Sequence, residues 1–188
     1  MNGSGYQAVV IGASAGALEA LSVILPRLPK GFRLPLFVVV HMPPDKRSVL
    51  AELFRAKCAI DVVEAEDKEP IKGGTIYFAP PGYHLLIETA SSLALSSDGP
   101  IMFSRPSIDV LFETAADVYG SGLIGIILTG ANHDGAAGLL AIVEAGGTAL
   151  VQNPHDAFAP AMPAAAMTAC PGANVMSLSA ISEYLKKV

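Results

Sequence analysis

Tryptophan is absent, aromatic residues make up only 6% of the chain, and lysine and arginine together number 12 in 188 residues. A base-stacking platform needs aromatic rings on display, and a phosphate-binding surface needs clustered positive charge. No run of Lys or Arg exceeds two residues and the net charge is −5, so no nucleic-acid partner is expected. Cysteine is equally scarce. Cys58 and Cys170 are the two thiols, and they form no CxxC and no zinc spacing. Two reduced structural thiols in a reducing compartment, with no metal, fit that pattern. Long hydrophobic runs are lacking too. The best, residues 34–40, is interrupted by Pro35 and falls far short of the roughly 18 apolar residues of a membrane span. Met1-Asn2-Gly3-Ser4-Gly5 has neither the basic nor the apolar region of a signal peptide. A cytoplasmic protein with no membrane insertion is expected.

What the chain does have is apolar mass. At 52% apolar and 15% charged, with a mean hydropathy of +0.48, it can bury a sizeable core. The length suits one domain, expected over residues 6–188 behind a flexible terminus of residues 1–5. Short β-branched runs alternate with Ala/Leu-rich segments. Strands are expected at 8–11, 36–40, 61–64, 75–79, 123–128 and 148–152. Residues 84–88 and 93–96 alternate as an antiparallel hairpin would. Helices are expected at 17–25, 48–57, 107–118, 136–144, 163–169 and 180–187. Continuously apolar strands alternating with helices predict an α/β, doubly wound, mostly parallel sheet with helices on both faces and one antiparallel hairpin.

In such a sheet, ligands bind outside the carboxyl ends of the strands. Ser14 follows the first strand, His41 the second, and Asp134 the strand at 123–128. These are the residue types of a nucleophile, base and orienting acid, at one edge. Gly12-Ala13-Ser14-Ala15-Gly16 matches G-x-S-x-G, a sharp strand-to-helix turn that exposes the serine oxygen; a serine cap on the next helix is the other reading. His41 follows Phe37-Val38-Val39-Val40 and precedes Pro43-Pro44, which stiffens the loop. His84, His133 and His155 have weaker settings. Asp134 lies in Gly130-Ala131-Asn132-His133-Asp134-Gly135, where it could orient a base or cap a helix, and where backbone N–H groups could receive an oxyanion. A dinucleotide fingerprint fails, because Ser14 and Ala17 stand where glycines are needed and His41 where an acid is needed.

Taken in order, Val10-Ile11-Gly12-Ala13-Ser14-Ala15-Gly16, His41-Met42-Pro43-Pro44, Tyr77-Phe78-Ala79-Pro80-Pro81-Gly82-Tyr83-His84, Ser104-Arg105-Pro106-Ser107-Ile108-Asp109 and Ile127-Leu128-Thr129-Gly130-Ala131-Asn132-His133-Asp134-Gly135-Ala136 form a distinctive set. With Met162-Pro163-Ala164-Ala165-Ala166 behind them, they closely resemble the catalytic domain of CheB-type protein-glutamate methylesterases of bacterial chemotaxis. The resemblance runs from about Tyr6 to the C-terminus.

The resemblance implies hydrolysis of glutamate methyl esters on chemoreceptor-like signalling proteins, with deamidation of glutamines in many members. The family's nucleophile falls on Ser14, its histidine on His41 and its aspartate on Asp134. Backbone N–H groups of Ala131 and Ala15 would form the oxyanion hole. No cofactor is needed. Arg105, Lys46 and Arg47 are candidates for holding an acidic substrate near a net-negative enzyme. Ala15 stands where many members have a hydroxyl residue, Ala17 replaces a glycine, and Ala131 a frequent methionine. A stand-alone form lacking the receiver domain is expected, with a separate receiver protein or sensor kinase as a partner. The alternatives are a non-catalytic signalling adaptor of the same fold and a small-molecule carboxylesterase.

Overall fold

A computed structural model describes residues 5–42 and 48–188. Seven strands form one parallel sheet: β1 (Ala8–Ala13), β2 (Leu36–Val40), β3 (Asp61–Glu64), β4 (Thr75–Phe78), β7 (Leu123–Ile127), β8 (Thr148–Gln152) and β9 (Asn174–Met176), in the spatial order β3-β4-β2-β1-β7-β8-β9. β5 (His84–Thr89) and β6 (Ser92–Ser96) pair separately as an antiparallel hairpin. The helices are α1 (Ala17–Ile24), α2 (Leu50–Arg55), α3 (Ile108–Tyr119), α4 (Ala136–Glu144), α5 (Ala161–Ala169) and α6 (Leu178–Leu185).

The strand residues divide by parity, as side chains alternate across a sheet. Val10, Phe37, Val39 and Tyr77 pack on one face with Ile108, Leu111, Phe112, Leu139, Ile142 and Met162 from α3, α4 and α5. Val9, Ile11, Val38, Ile76 and Phe78 pack on the other with Leu21, Ile24, Phe54, Ile181 and Leu185 from α1, α2 and α6. Burial on both faces explains why β1, β2 and β7 read as unbroken apolar runs. Each fully buried Val, Leu or Ile contributes about 1.5–3 kcal/mol relative to exposure.

The expected architecture therefore stands, with shifts at the ends of elements. α2 is shorter than the 48–57 expected from sequence. α6 starts at Leu178 because the Ser177 hydroxyl accepts from Ala180 N at 3.2 Å, a cap that sets the helix start earlier than 180. β9 has no counterpart among the strands expected from sequence. Among the described residues, no helix is long and apolar enough to cross a membrane.

Topology fixes where a ligand could sit. From β1 the chain builds outward through β2 to β4 and β3, then returns to place β7 on the other side of β1. The reversal of direction lies between β1 and β7, and the crevice at their carboxyl ends is the usual ligand position in an open α/β sheet.

Candidate active site

Three adjacent strands deliver the three predicted residues to that crevice. Ala13 of β1 lies opposite Val40 of β2, and Gly12 lies opposite Ile127 of β7. Carried one step on, the first register sets Ser14 beside His41. Two backbone bonds extend the ladders past the strand ends: His41 N donates to Ala13 O at 3.2 Å and Ser14 N donates to Thr129 O at 2.9 Å. Neighbouring strands run about 4.8 Å apart, so the serine and histidine backbones are close neighbours.

The His41 ring reaches across to Asp134. Nε2 lies 2.7 Å from Asp134 Oδ2, with the carboxylate fully buried and the ring almost so. In the serine-protease arrangement the acid takes Nδ1; here it takes Nε2, which leaves Nδ1 towards the rest of the site. Asp134 also accepts Ile108 N at 2.7 Å, Asp109 N at 3.0 Å and the Ser107 hydroxyl at 3.0 Å. It thus caps the start of α3. The helix that follows it, α4, has Gly135 at its cap position and no side-chain bond there. Burial pushes the Asp134 carboxyl up, but the bonds from His41 and from the backbone of Asp109 and Ile108 outweigh it and hold the group below the ordinary carboxylate range.

Two neighbours of this pair stand in the quoted motifs, but the sequence assigns them no contact with it. Asn132 Nδ2 lies 3.1 Å from His41 Nδ1, and its Oδ1 accepts from Asp134 N at 3.2 Å. Asp109 Oδ1 accepts Gly135 N at 2.9 Å and Gly138 N at 2.7 Å. Burial is the main cause that raises the Asp109 carboxyl to about 6; the Asp134 charge adds to it, and the two N–H bonds oppose it.

Ser14 is half-buried. Its Oγ makes no hydrogen bond among the described residues, to His41 or otherwise. It does not cap α1 either; that position belongs to Gly16, which has no side-chain bond. The left-handed backbone of the G-x-S-x-G turn also falls on Gly16, at φ 82°, and not on the serine. A Cβ on Gly16 would in addition lie 2.6 Å from Phe158 Cβ, so glycine is required there twice over. Thr129 braces the same turn: its hydroxyl donates to Ala15 O at 2.8 Å and accepts Ala159 N at 2.9 Å, and Thr129 N donates to Gln152 Oε1 at 2.8 Å. Among the described residues, the backbone N–H groups of Ala15 and Ala131 make no hydrogen bond.

A cleft of about 400 Å³ opens beside His41, walled by Met42, Phe103, Arg105 and Pro106; Ser14 is outside its lining. Arg105 Nη1 donates to the carbonyls of Ser97 at 2.9 Å and Asp98 at 3.0 Å, which anchors the guanidinium at the cleft wall. Phe103 is fully exposed at the tip of a two-residue turn, where it and Met102 both take left-handed backbone angles. Lys46, Arg47 and Pro43-Pro44 lie outside the described residues, as do residues 1–4 of the expected flexible terminus. His84 is buried between Gly99 O, 3.0 Å from its Nε2, and Ser107 N, which donates to its Nδ1 at 3.1 Å. It therefore supports the α3 start. His133 and His155 are exposed. Cys58 and Cys170 are both free thiols. No group of three or more His, Cys, Asp or Glu among the described residues is placed to hold a metal.

Residues 9–185 match the family model described as CheB methylesterase. A protein of Leptospira interrogans (strain Fiocruz L1-130), provisionally named protein-glutamate methylesterase/protein-glutamine glutaminase, is 48% identical over 178 residues, covering 95% of this chain and 92% of its own. An Archaeoglobus fulgidus protein named protein-glutamate methylesterase/protein-glutamine glutaminase is 38% identical, over 85% of this chain and 46% of its own. The crystal structure of the Thermotoga maritima CheB methylesterase catalytic domain superposes with a TM-score of 0.92 at 33% identity, covering 97% of this chain and 98% of that one.

Proposed function

Because the chain belongs to the CheB methylesterase family, we propose that it hydrolyses glutamate methyl esters on chemoreceptor-like signalling proteins, and that residues 6–188 form one catalytic unit. The observation that carries this reading is the buried His41–Asp134 pair set beside Ser14 at the reversal point of the sheet.

In the proposed reaction the Ser14 hydroxyl attacks the ester carbonyl carbon while His41 Nδ1 takes its proton. Asp134 holds the ring through Nε2 and stabilises the imidazolium, the role the acid plays in a serine triad with the two ring nitrogens exchanged. The oxygen of the tetrahedral intermediate receives the N–H groups of Ala15 and Ala131, whose lack of described partners supports the assignment. His41 returns the proton to the methoxide, methanol leaves, and a glutamyl ester on Ser14 remains. Water activated by the same nitrogen then releases the free glutamate side chain and regenerates the serine. With a glutamine side chain, ammonia leaves in place of methanol. Arg105, at the cleft wall, supplies positive charge to carboxylates that flank the ester on the substrate helix.

The test is methanol release from a methylated receptor fragment, compared with hydrolysis of a short-chain aryl ester. We expect methanol release that disappears in Ser14→Ala. Cleavage of the aryl ester with no methanol from the receptor fragment would instead make this a small-molecule carboxylesterase.

A further inference from the structure

Asn132 stands on the loop between β7 and α4, in contact with both members of the His41–Asp134 pair. The two ends of its amide are distinguishable. Oδ1 accepts the N–H of Asp134 at 3.2 Å, so the end facing His41 Nδ1 at 3.1 Å is the NH2 donor. A donor pointed at Nδ1 requires that nitrogen to be bare. The Asp134 carboxylate at Nε2 requires that nitrogen to carry the proton. Both contacts therefore specify the Nε2–H tautomer.

They differ in their effect on charge. A carboxylate beside an imidazole favours the protonated ring, whereas a donor facing Nδ1 opposes it, because two N–H groups would then meet. Taking His41 as the base of the reaction proposed above, we propose that Asn132 is a positioning residue that keeps Nδ1 unprotonated between turnovers, until the Ser14 hydroxyl replaces the amide as the donor to that nitrogen. The lone pair of Nδ1 accepts one donor at a time, so amide and hydroxyl exchange places as the proton transfer begins. Among the described residues, Asp109 lies behind Asp134, His84 beyond Ser107, Arg105 at the cleft wall, and the exposed His133 next to Asn132 in the chain. Substitution at 132 leaves all of them in place.

Two substitutions test this, read by the pH profile of kcat/KM and by ¹⁵N NMR titration of the His41 ring. Asn132→Ala removes the opposing donor, and Asn132→Asp replaces it with an acceptor of the same shape. The acid limb of the profile is expected to move to higher pH in Asn132→Ala and further in Asn132→Asp, with the activity lost below the limb recovered at higher pH. The NMR titration should move in the same order, with Nδ1 bare in the resting wild type. Profiles that superimpose on the wild type, or that fall equally at every pH, would overturn the proposal. The NMR measurement needs no turnover, so it judges Asn132 even if His41→Ala keeps full activity and the base assignment itself falls.

Discussion

Asp134 and Asp109 cap each other's helices. The Asp134 carboxylate, just ahead of α4, accepts the first backbone N–H groups of α3; the Asp109 carboxylate, in the first turn of α3, accepts the N–H groups of Gly135 and Gly138 at the start of α4. The acid that holds the His41 ring is thus also a structural joint. Its position is set by two helix ends rather than by a flexible loop, so any loss of activity on substitution here is expected to come with a loss of stability.

Asp134→Asn should therefore lower both. One amide nitrogen must face either His41 Nε2 and Ile108 N or the Ser107 and Asp109 donors, and in each case donor meets donor. A fall in kcat on the order of 10⁴, the scale of the corresponding change in a serine protease, should accompany a loss of about 1–2 kcal/mol in urea unfolding, typical of a removed cap. Reduced activity at unchanged stability would mean that α3 does not need this cap.

Ser14→Ala should abolish methanol release with little change in unfolding, since its Oγ holds no described partner. His41→Ala should be as severe, and the double variant no worse than either alone, because members of a triad act as a unit. Multiplying losses, measured as kcat on the same substrate, would show that the two residues serve different steps.

The raised carboxyl of Asp109 has a signed consequence. Burial lifts it to about 6 in the folded protein, against about 3.9 in an unfolded chain. Between those values the folded state binds more protons, so this group's contribution to stability falls as pH rises through the window. Asp134 acts in the opposite sense: its contribution is present above the ordinary carboxyl range and is lost only as pH falls through its lowered folded value. Asp109→Asn keeps an acceptor for Gly135 and Gly138 and removes the titration. Its stability relative to wild type should therefore rise from pH 4 to pH 6, measured as urea midpoints. A difference independent of pH would place Asp109 in the ordinary carboxylate range.

Gly12 illustrates how close α3 lies to the sheet. A Cβ at Gly12 would come within 2.4 Å of Ile108 Cγ2 and 2.9 Å of its Cδ1. Gly12→Ala should cost about 1–3 kcal/mol, as overpacking does. It should also lower kcat, because Ile108 N is one of the groups that hold Asp134. Adding Ile108→Ala removes the colliding atoms, so the double variant should lose less stability than the sum of the two single losses. Strict additivity in a double-mutant cycle would mean that the two positions do not touch.

The placement of the candidate site was legible in the sequence where it follows directly from topology. Ser14, His41 and Asp134 each stand just beyond an unbroken apolar strand, and parallel strands that lie side by side bring such positions together. What could not be read was contact between buried polar groups far apart in the chain. Nothing local marks Asp109 as the cap of α4, Ser107 as a donor to Asp134, or Asn132 as the partner of His41. Nor does the sequence show which ring nitrogen faces the acid. The G-x-S-x-G pattern located the turn but not its left-handed residue, which is Gly16. β9 escaped for a different reason: Asn174–Met176 is short, lies at the edge of the sheet, and leaves Asn174 and Val175 exposed, so it has no apolar run to betray it.

The order of strands in the sheet also matters while the chain is being made. β1 occupies the middle of the sheet, yet one of its two neighbours, β7, is encoded more than a hundred residues after it. At roughly 5–20 residues per second of synthesis, β1 waits about 5–20 s with one edge unpaired and its apolar faces incompletely covered. During that interval the nascent chain presents a β-branched template to other chains. The yield of folded protein should then depend on translation speed and on ribosome-associated chaperones, even though the finished sheet buries β1 completely.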